Sequence, residues 1–299
     1  MARKRKILIT GSTGFMGENF INAIQHFGLE IIKAPHNLDL NNSVETVGFI
    51  TSSDPHFILH LATDRMQDRE SSPSQSHNSL SRLDYNVVLA SQKLIHLERF
   101  VAIGSCDEYG IQNFPYLESS PAKPVSAYGF SKLALTEYLG ELSSKSGFPS
   151  VIVRPSVVYG PTQRTKMFIP MVFSAMIEKR RLALSPGGQT RDFVYVDDVV
   201  EALISCLTKD SISPGSIYNL ATQESFTIKD VANMIADLYG SKYRMLLEFG
   251  ALDYRLSEVM DYRVNAQKAR QELGWKSKVT LEEGLRMLKN TPDYAVKKW

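Results

Sequence analysis

The feature that most limits how this chain can fold is Gly11-Ser12-Thr13-Gly14-Phe15-Met16-Gly17, set directly behind the apolar stretch Lys6 to Thr10. The apolar stretch reads as a short buried strand, and Glu18 to Phe27, with Phe20, Ile21 and Ile24 on one face, reads as a helix. Between a strand and a helix, glycines permit a tight turn and let backbone N–H groups at the helix N-terminus meet a pyrophosphate. Gly11, Thr13, Gly14, Phe15, Met16 and Gly17 are therefore the expected phosphate-side contacts of a dinucleotide.

The pattern then repeats. Strands are expected over Glu30 to Ala34 and Phe57 to Leu61, with the amphipathic stretch Ser43 to Thr51 between them. A helix over Leu83 to His96 leads to a strand over Phe100 to Gly104, and a long helix over Ser126 to Ser144 leads to another over Ser150 to Arg154. Such alternation predicts an α/β protein, a Rossmann-like doubly wound parallel sheet with ligands at the carboxyl ends of its strands. Residues 1–165 would form this dinucleotide-binding domain. A smaller C-terminal substrate-binding domain would come mainly from 166–299, with segments returning to the sheet. The polar, Ser-rich stretch Asp64 to Ser81 reads as a mobile loop over the cleft.

Thirty-four Lys plus Arg against thirty-two Asp plus Glu leave a net charge of +2 over 299 residues, which offers no field for nucleic acid. The cluster Arg3-Lys4-Arg5-Lys6 is read as a solvated lead-in to the first strand. No apolar run is long enough for a leader or a bilayer span, so no membrane partner and a cytoplasmic location are expected. Cys106 and Cys206 have no metal-ligand spacing, so neither a metal nor a disulfide framework is expected.

An acid at the end of the second strand would hold an unphosphorylated ribose and repel a 2′-phosphate. Here the strand ends Ile32-Lys33-Ala34-Pro35-His36; Glu30 comes too early and Asp39 too late, while Lys33 or His36 can face a phosphate. NADP(H) is favoured, with NAD(H) as the alternative. Asp39, Leu40, Leu61, Ala62, Thr63 and Pro155 complete the expected cofactor contacts.

Tyr128-Gly129-Phe130-Ser131-Lys132 places a phenol and an ammonium at i and i+4, on one helix face. Bringing a phenol from a pKa of about 10 to about 7, where it exchanges protons readily, takes roughly 4 kcal/mol. A neighbouring cation supplies part of that. Gly104-Ser105-Cys106-Asp107-Glu108-Tyr109-Gly110 begins at a strand's carboxyl end, where Ser105 can donate to a carbonyl oxygen.

With these residues in order, the chain resembles the extended short-chain dehydrogenase, or NAD-dependent epimerase/dehydratase, family over nearly its whole length. The glycine spacing is the short-chain dehydrogenase version, and the family's catalytic Ser, Tyr and Lys fall on Ser105, Tyr128 and Lys132. His60-Leu61-Ala62 matches its cofactor-contacting strand, and Arg154 to Pro161 the segment after its later strand. Gly187 to Phe193 followed by Val196 to Val199 matches its nucleotide-sugar signature, and Leu273-Gly274-Trp275 with Leu281 to Leu285 its C-terminal helix pair. The resemblance implies a nucleoside-diphosphate sugar as partner, Arg191 and Arg255 on its diphosphate, and Phe168 near its base. Asp107 and Val157 would lie at the sugar, Val157 in place of an Asn that many members carry. It also implies a homodimer through the helices over Leu83 to His96 and Ser126 to Ser144; burial within one chain is the alternative for their apolar stripes.

The family's dehydratases carry an acidic pair after the catalytic hydroxyl, where this chain has Cys106 and Asp107. The string Gly-Ser-Cys-Asp-Glu-Tyr-Gly resembles that of the GDP-4-keto-6-deoxy-mannose reductases, and Glu248 to Met260 that of the CDP-abequose type. The resemblance therefore implies reduction at C4 of a nucleoside-diphosphate 4-keto-6-deoxyhexose. A nucleotide-sugar 4-epimerase with tightly held NAD and a non-catalytic dinucleotide sensor are the alternatives. The Tyr/Lys pair counts against the sensor.

Overall fold

A computed structural model of the chain describes residues 4–63, 80–112, 115–255, 258–292 and 294. Apart from Leu80 and Ser81, the loop expected over Asp64 to Ser81 lies outside the described residues. The first half runs β1 (Lys6–Thr10), α1 (Phe15–Ile24), β2 (Glu30–Lys33), α2 (Ser43–Ser53), β3 (Phe57–His60), α3 (Arg82–Ser91), β4 (Arg99–Ile103), α4 (Ala127–Ser146) and β5 (Ser150–Pro155). The second runs β6 (Val157–Tyr159), α5 (Phe168–Ile177), β7 (Leu182–Leu184), β8 (Thr190–Arg191), β9 (Phe193–Tyr195), α6 (Val196–Thr208), β10 (Ser216–Leu220), β11 (Phe226–Thr227), α7 (Ile228–Tyr239), β12 (Leu247–Phe249) and α8 (Leu281–Asn290).

Six strands form one parallel sheet in the order β10-β5-β4-β3-β1-β2. Both of its faces are covered, which is why its strands read as unbroken apolar runs. Ile7 and Ile9 pack with α1 and α6 through Phe20, Ile24 and Leu203, while Leu8 between them joins Val87, Leu135 and Leu139 from α3 and α4. The chain leaves β1 for β2 on one side, then returns to place β3 on the other. That reversal opens the crevice where doubly wound sheets bind ligands. The glycine turn and Leu61-Ala62 flank it.

β10 joins the sheet beside β5, and the remaining short strands pair as β6 with β9, β7 with β12 and β8 with β11. The carboxylate of Asp198 in α6 accepts from Ser277 Oγ and the N–H groups of Lys278 and Val279, and the Asp198 carbonyl accepts from Trp275 Nε1 at 2.7 Å. These bonds fasten the C-terminal segment to the sheet layer. Among the described residues no helix is long and apolar enough to cross a membrane.

Several boundaries differ from the sequence expectation. α1 starts at Phe15 rather than Glu18 and ends at Ile24 rather than Phe27, because an extended Gly14 already serves as its N-cap and Gly28 (φ +70°) turns the chain. α3 stops at Ser91 instead of His96; the turn that follows is closed by Lys93 N–H on the Ala90 carbonyl and Leu94 N–H on that of Ser91. β4 begins at Arg99, whose guanidinium is buried by donating to the carbonyls of Ile212 and Lys209. α4 runs on to Ser146, ended by a left-handed Gly147.

Candidate active site

The edge expected to hold the dinucleotide is built by close backbone approach. Gly11 adopts φ +67°, and a Cβ there would lie 2.7 Å from the Ala62 nitrogen; a Cβ on Gly17 would lie 2.3 Å from the Gly11 carbonyl oxygen. Glycine is thus required at both positions. Gly14 caps α1 with no side-chain hydrogen bond, so among the described residues the first-turn N–H groups are given no side-chain acceptor. An uncapped helix start behind a glycine cradle fits the pyrophosphate of a dinucleotide.

Thr10 ties this turn to the end of β3. Its hydroxyl accepts from the N–H groups of Leu61 and Ala62, both at 3.2 Å, and meets His60 Nδ1 at 2.7 Å. With both backbone groups donating to it, the hydroxyl gives its own proton to Nδ1, so Nε2–H donates to Asp84 at 2.8 Å. Burial opposes charge on Asp84, but His60, with Lys132 and Ser81 adding, holds its carboxyl below the usual range. Lys33 and His36 are exposed at and after the end of β2; Asp39, further along the loop, is also exposed and accepts the Asn41 N–H at 3.0 Å. Leu40 and Leu61 are half-buried, Thr63 is exposed and Pro155 is buried.

The turn after β4 is closed by its own side chains. Ser105, extended at φ −160°, accepts the Asp107 N–H on Oγ at 3.1 Å, and Glu108 accepts the Ser105 N–H at 2.8 Å, a complete capping box. α4 presents Tyr128 half-buried and Lys132 buried, with Lys132 Nζ 5.9 Å from the Tyr128 ring centroid. A Cβ on Gly129 would lie 2.6 Å from the Asp107 carbonyl oxygen, so this glycine lets the Tyr128 helix rest against the Ser105 turn.

Cys106 is 3% exposed, with its thiol donating to the Arg154 carbonyl oxygen at 3.5 Å. Burial, then the charges of Asp107 and Asp192, push that thiol well above its ordinary range. Asp107 is half-buried and accepts the Tyr262 hydroxyl at 3.0 Å, while burial and that acid push the Tyr262 phenol up.

The expected substrate residues fall on three segments. Arg191, in β8, donates to the carbonyls of Thr190 and Val259, pairs with Glu258 and lies 4.9 Å over the Tyr262 ring. Its fork is thus already engaged by the protein rather than standing open. Arg255 is exposed, and its carbonyl accepts the Glu258 N–H at 3.0 Å. Val157 is half-buried in β6, its N–H on the Asp192 carbonyl, and Phe168 is half-buried at the start of α5. Sequence reasoning assigned no role to Gly129, Glu108 or Tyr262. The Ser-x-x-Glu spacing of a capping box was a usable signal for Glu108; Tyr262 had none.

Relatives with different stated activities share this frame. A dTDP-D-glucose 4,6-dehydratase of Bos taurus is 28% identical over 94% of this chain and 87% of its own length. CDP-abequose synthase of Salmonella typhimurium LT2 is 23% identical over 95% and 97%. The solved UDP-glucuronic acid 4-epimerase of Bacillus cereus, in complex with UDP-glucuronic acid and NAD, superposes with a TM-score of 0.83 at 24% identity, covering 94% of this chain and 96% of that one. Residues 7–221 match the NAD dependent epimerase/dehydratase family, and with a match of that extent the chain belongs to this family of nucleotide-sugar enzymes.

Proposed function

We propose that the protein reduces the C4 keto group of a nucleoside-diphosphate 4-keto-6-deoxyhexose, with NADPH preferred. One observation carries the choice of reaction within the family: the position after Ser105 holds a buried, protonated thiol turned to the Arg154 carbonyl, not a carboxylic acid at the cleft. Elimination of water needs an acid for the leaving hydroxyl, and a thiol held this way supplies none. The next position, Asp107, is held by Tyr262.

The bound nicotinamide would supply a hydride to C4. Ser105 holds the carbonyl oxygen: its Oγ already accepts the Asp107 N–H, which leaves its proton for the substrate. Tyr128 gives its proton to the oxygen as charge develops there, and Lys132 favours the phenolate that remains and binds the nicotinamide ribose. Carbonyl, hydride and proton together would give the alcohol, with the reduced cofactor as the source of the electrons. Arg191 and Arg255 would meet the diphosphate, with Glu258 yielding Arg191 as phosphate arrives, and Phe168 would pack near the base. The preference for NADPH rests on Lys33 and His36 at the end of β2, where no acid repels a 2′-phosphate.

The test mixes purified protein with NADPH or NADH and a panel of GDP-, CDP- and dTDP-4-keto-6-deoxyhexoses, following loss of reduced-cofactor absorbance. Oxidation with one nucleotide is expected, faster with NADPH. No oxidation, together with stoichiometric NAD in the purified protein, would replace this reading with a redox-neutral 4-epimerase.

Dimerisation through α3 and α4 belongs to the same proposal. Their apolar stripes are largely consumed within the chain by Val87, Val88, Leu135 and Leu139, but Tyr85 stays 45% exposed with its ring 6.0 Å from that of Tyr138 on the outer side. Sedimentation at micromolar concentration is expected to show a dimer; monomer alone would remove this element.

A further inference from the structure

The catalytic turn is anchored by a buried ion pair that the proposed chemistry does not use. Glu108 is fully buried; its Oε1 accepts the Ser105 N–H at 2.8 Å, and its Oε2 accepts from Arg154 Nε at 2.8 Å and Nη2 at 2.6 Å. Arg154, in β5, is 3% exposed, donates to the Tyr109 hydroxyl at 3.0 Å and lies 4.8 Å over that ring. The Tyr109 hydroxyl donates to Asn219 Oδ1 at 2.7 Å, and Asn219 Nδ2 reaches the carbonyls of Tyr116 and Asn265. One polar chain thus runs from the Ser105 backbone through β5 and β10 to the segment that also carries Tyr262. Burial opposes charge on Arg154, but Glu108 and Tyr109 together hold its guanidinium above the ordinary range.

Gly104 belongs to the same device. A Cβ there would lie 2.4 Å from Glu108 Oε1, so the carboxylate occupies the space a side chain before Ser105 would need. A buried ion pair is weak as a source of stability, because desolvation offsets most of its attraction, while well-packed apolar residues can replace it at little net cost. What apolar residues cannot do is accept the Ser105 N–H. A misplacement of about 1 Å in a catalytic group can cost about 100-fold in rate.

We infer that Glu108, clamped by Arg154, is a positioning residue that fixes the Ser105 hydroxyl relative to β10 and the segment that carries Tyr262. The inference rests on the proposed role of Ser105 in nucleotide-sugar chemistry. The variant Glu108→Leu/Arg154→Met removes both charges at once and leaves no buried ion unpaired. Its kcat is expected to fall about tenfold to 100-fold, with KM and dinucleotide Kd within about twofold of wild type. Glu108→Gln/Arg154→Met keeps an acceptor for the Ser105 N–H and is expected to recover most of the rate. Gly104→Ala, whose Cβ would press hardest on Glu108 Oε1 and also crowd Arg154 Cγ and Ile152 Cγ2 at 3.2 Å, is expected to lower kcat in the same sense.

Adding Ser105→Ala to the apolar double variant should cost no more than Ser105→Ala alone, because both act through one hydroxyl. Losses that multiply would overturn the inference, as would an apolar variant that folds and keeps full kcat. The crystal structure of the apolar variant gives a readout independent of turnover: Ser105 Oγ is expected to leave its contact with the Asp107 N–H. An unmoved Ser105 overturns the inference whichever reaction the protein catalyses. Wild-type protein silent toward every keto-sugar overturns the reductase reading alone.

Discussion

Two strand ends lie on either side of the crevice, and each opens a helical turn, but they end in opposite ways. After β1, Gly14 caps α1 with no side chain, and glycine spacing keeps Cβ atoms away from the N–H groups. After β4, Ser105 and Glu108 close their own turn completely, and Arg154 locks the closure from behind. An open helix start is a site for an anion that the protein does not itself supply. A closed one satisfies its donors internally and fixes the Ser105 hydroxyl through the Asp107 N–H. On the proposed function the difference separates a binding turn, written in missing side chains, from a chemical turn, written in buried ones.

The widest separation between the two should come from Tyr128→Phe. Gly129 rests the start of α4 against the closed turn, and with Tyr128 as the proposed proton donor kcat is expected to fall about 100-fold to 10,000-fold. Dinucleotide affinity, a property of the open turn, should change by less than about twofold. A variant with near-normal turnover, or one that loses cofactor binding as well, would break the division. Ser105→Ala is next. Loss of a carbonyl-holding donor is expected to cost about 100-fold to 1,000-fold in kcat, and loss of the Asp107 N–H acceptor about 1 kcal/mol of stability by denaturant titration.

Gly14→Asp tests the open turn with the reverse sign. Gly14 has an ordinary extended backbone (φ −86°, ψ 170°), so an L residue is accommodated once the Gly11 carbonyl oxygen, 3.3 Å from its Cβ, gives slightly, and a carboxylate there can cap α1 and favour its dipole. The apo protein is expected to gain roughly 0.5 kcal/mol. Dinucleotide binding should weaken about 100-fold, since a like charge beside the pyrophosphate costs several kcal/mol. Calorimetry on apo protein and on the complex reads both effects. Cofactor affinity that survives would mean the pyrophosphate does not use this helix start.

How much of this was legible in the sequence follows the same line. The fold was, because buried parallel strands make apolar runs and their alternation with helices leaves few topologies. The glycine turn was, because steric exclusion of Cβ shows directly as residue type, although counting its glycines as loop displaced the start of α1 to Glu18. Ser105 follows β4 and Tyr128 and Lys132 lie in α4, as their order and spacing predicted; their catalytic roles belong to the proposed function. Glu108 carried a local signature, yet nothing near it announces Arg154, which pairs with it 46 residues later. Tyr262 bonds Asp107 across 155 residues, and Glu258 meets Arg191 across 67. Neither separation leaves a periodic trace, so the engagement of Arg191 could not be read from the chain.

The smallest expected effect concerns Cys106, the residue by which the closed turn differs from a dehydratase's. Both cysteines are buried, and burial pushes Cys206 up to about 12 and Cys106 well above the ordinary thiol range. In the folded protein both therefore remain protonated through pH 9, where a free thiol with a pKa of about 8.5 is mostly thiolate. Alkylation of native protein is expected to be slow at both sites and to accelerate little between pH 7 and pH 9, while denaturant releases two reactive thiols. The sign for stability follows. Above about pH 8.5 the unfolded chain loses thiol protons that the folded one keeps, so stability falls as pH rises. Running the alkylation on Cys206→Ser isolates Cys106. Rapid modification there at pH 8 would mean that the turn opens in solution and presents its second position to the cleft. The contrast between an open and a closed turn would then fail, and with it the argument that this site lacks the acid for dehydration.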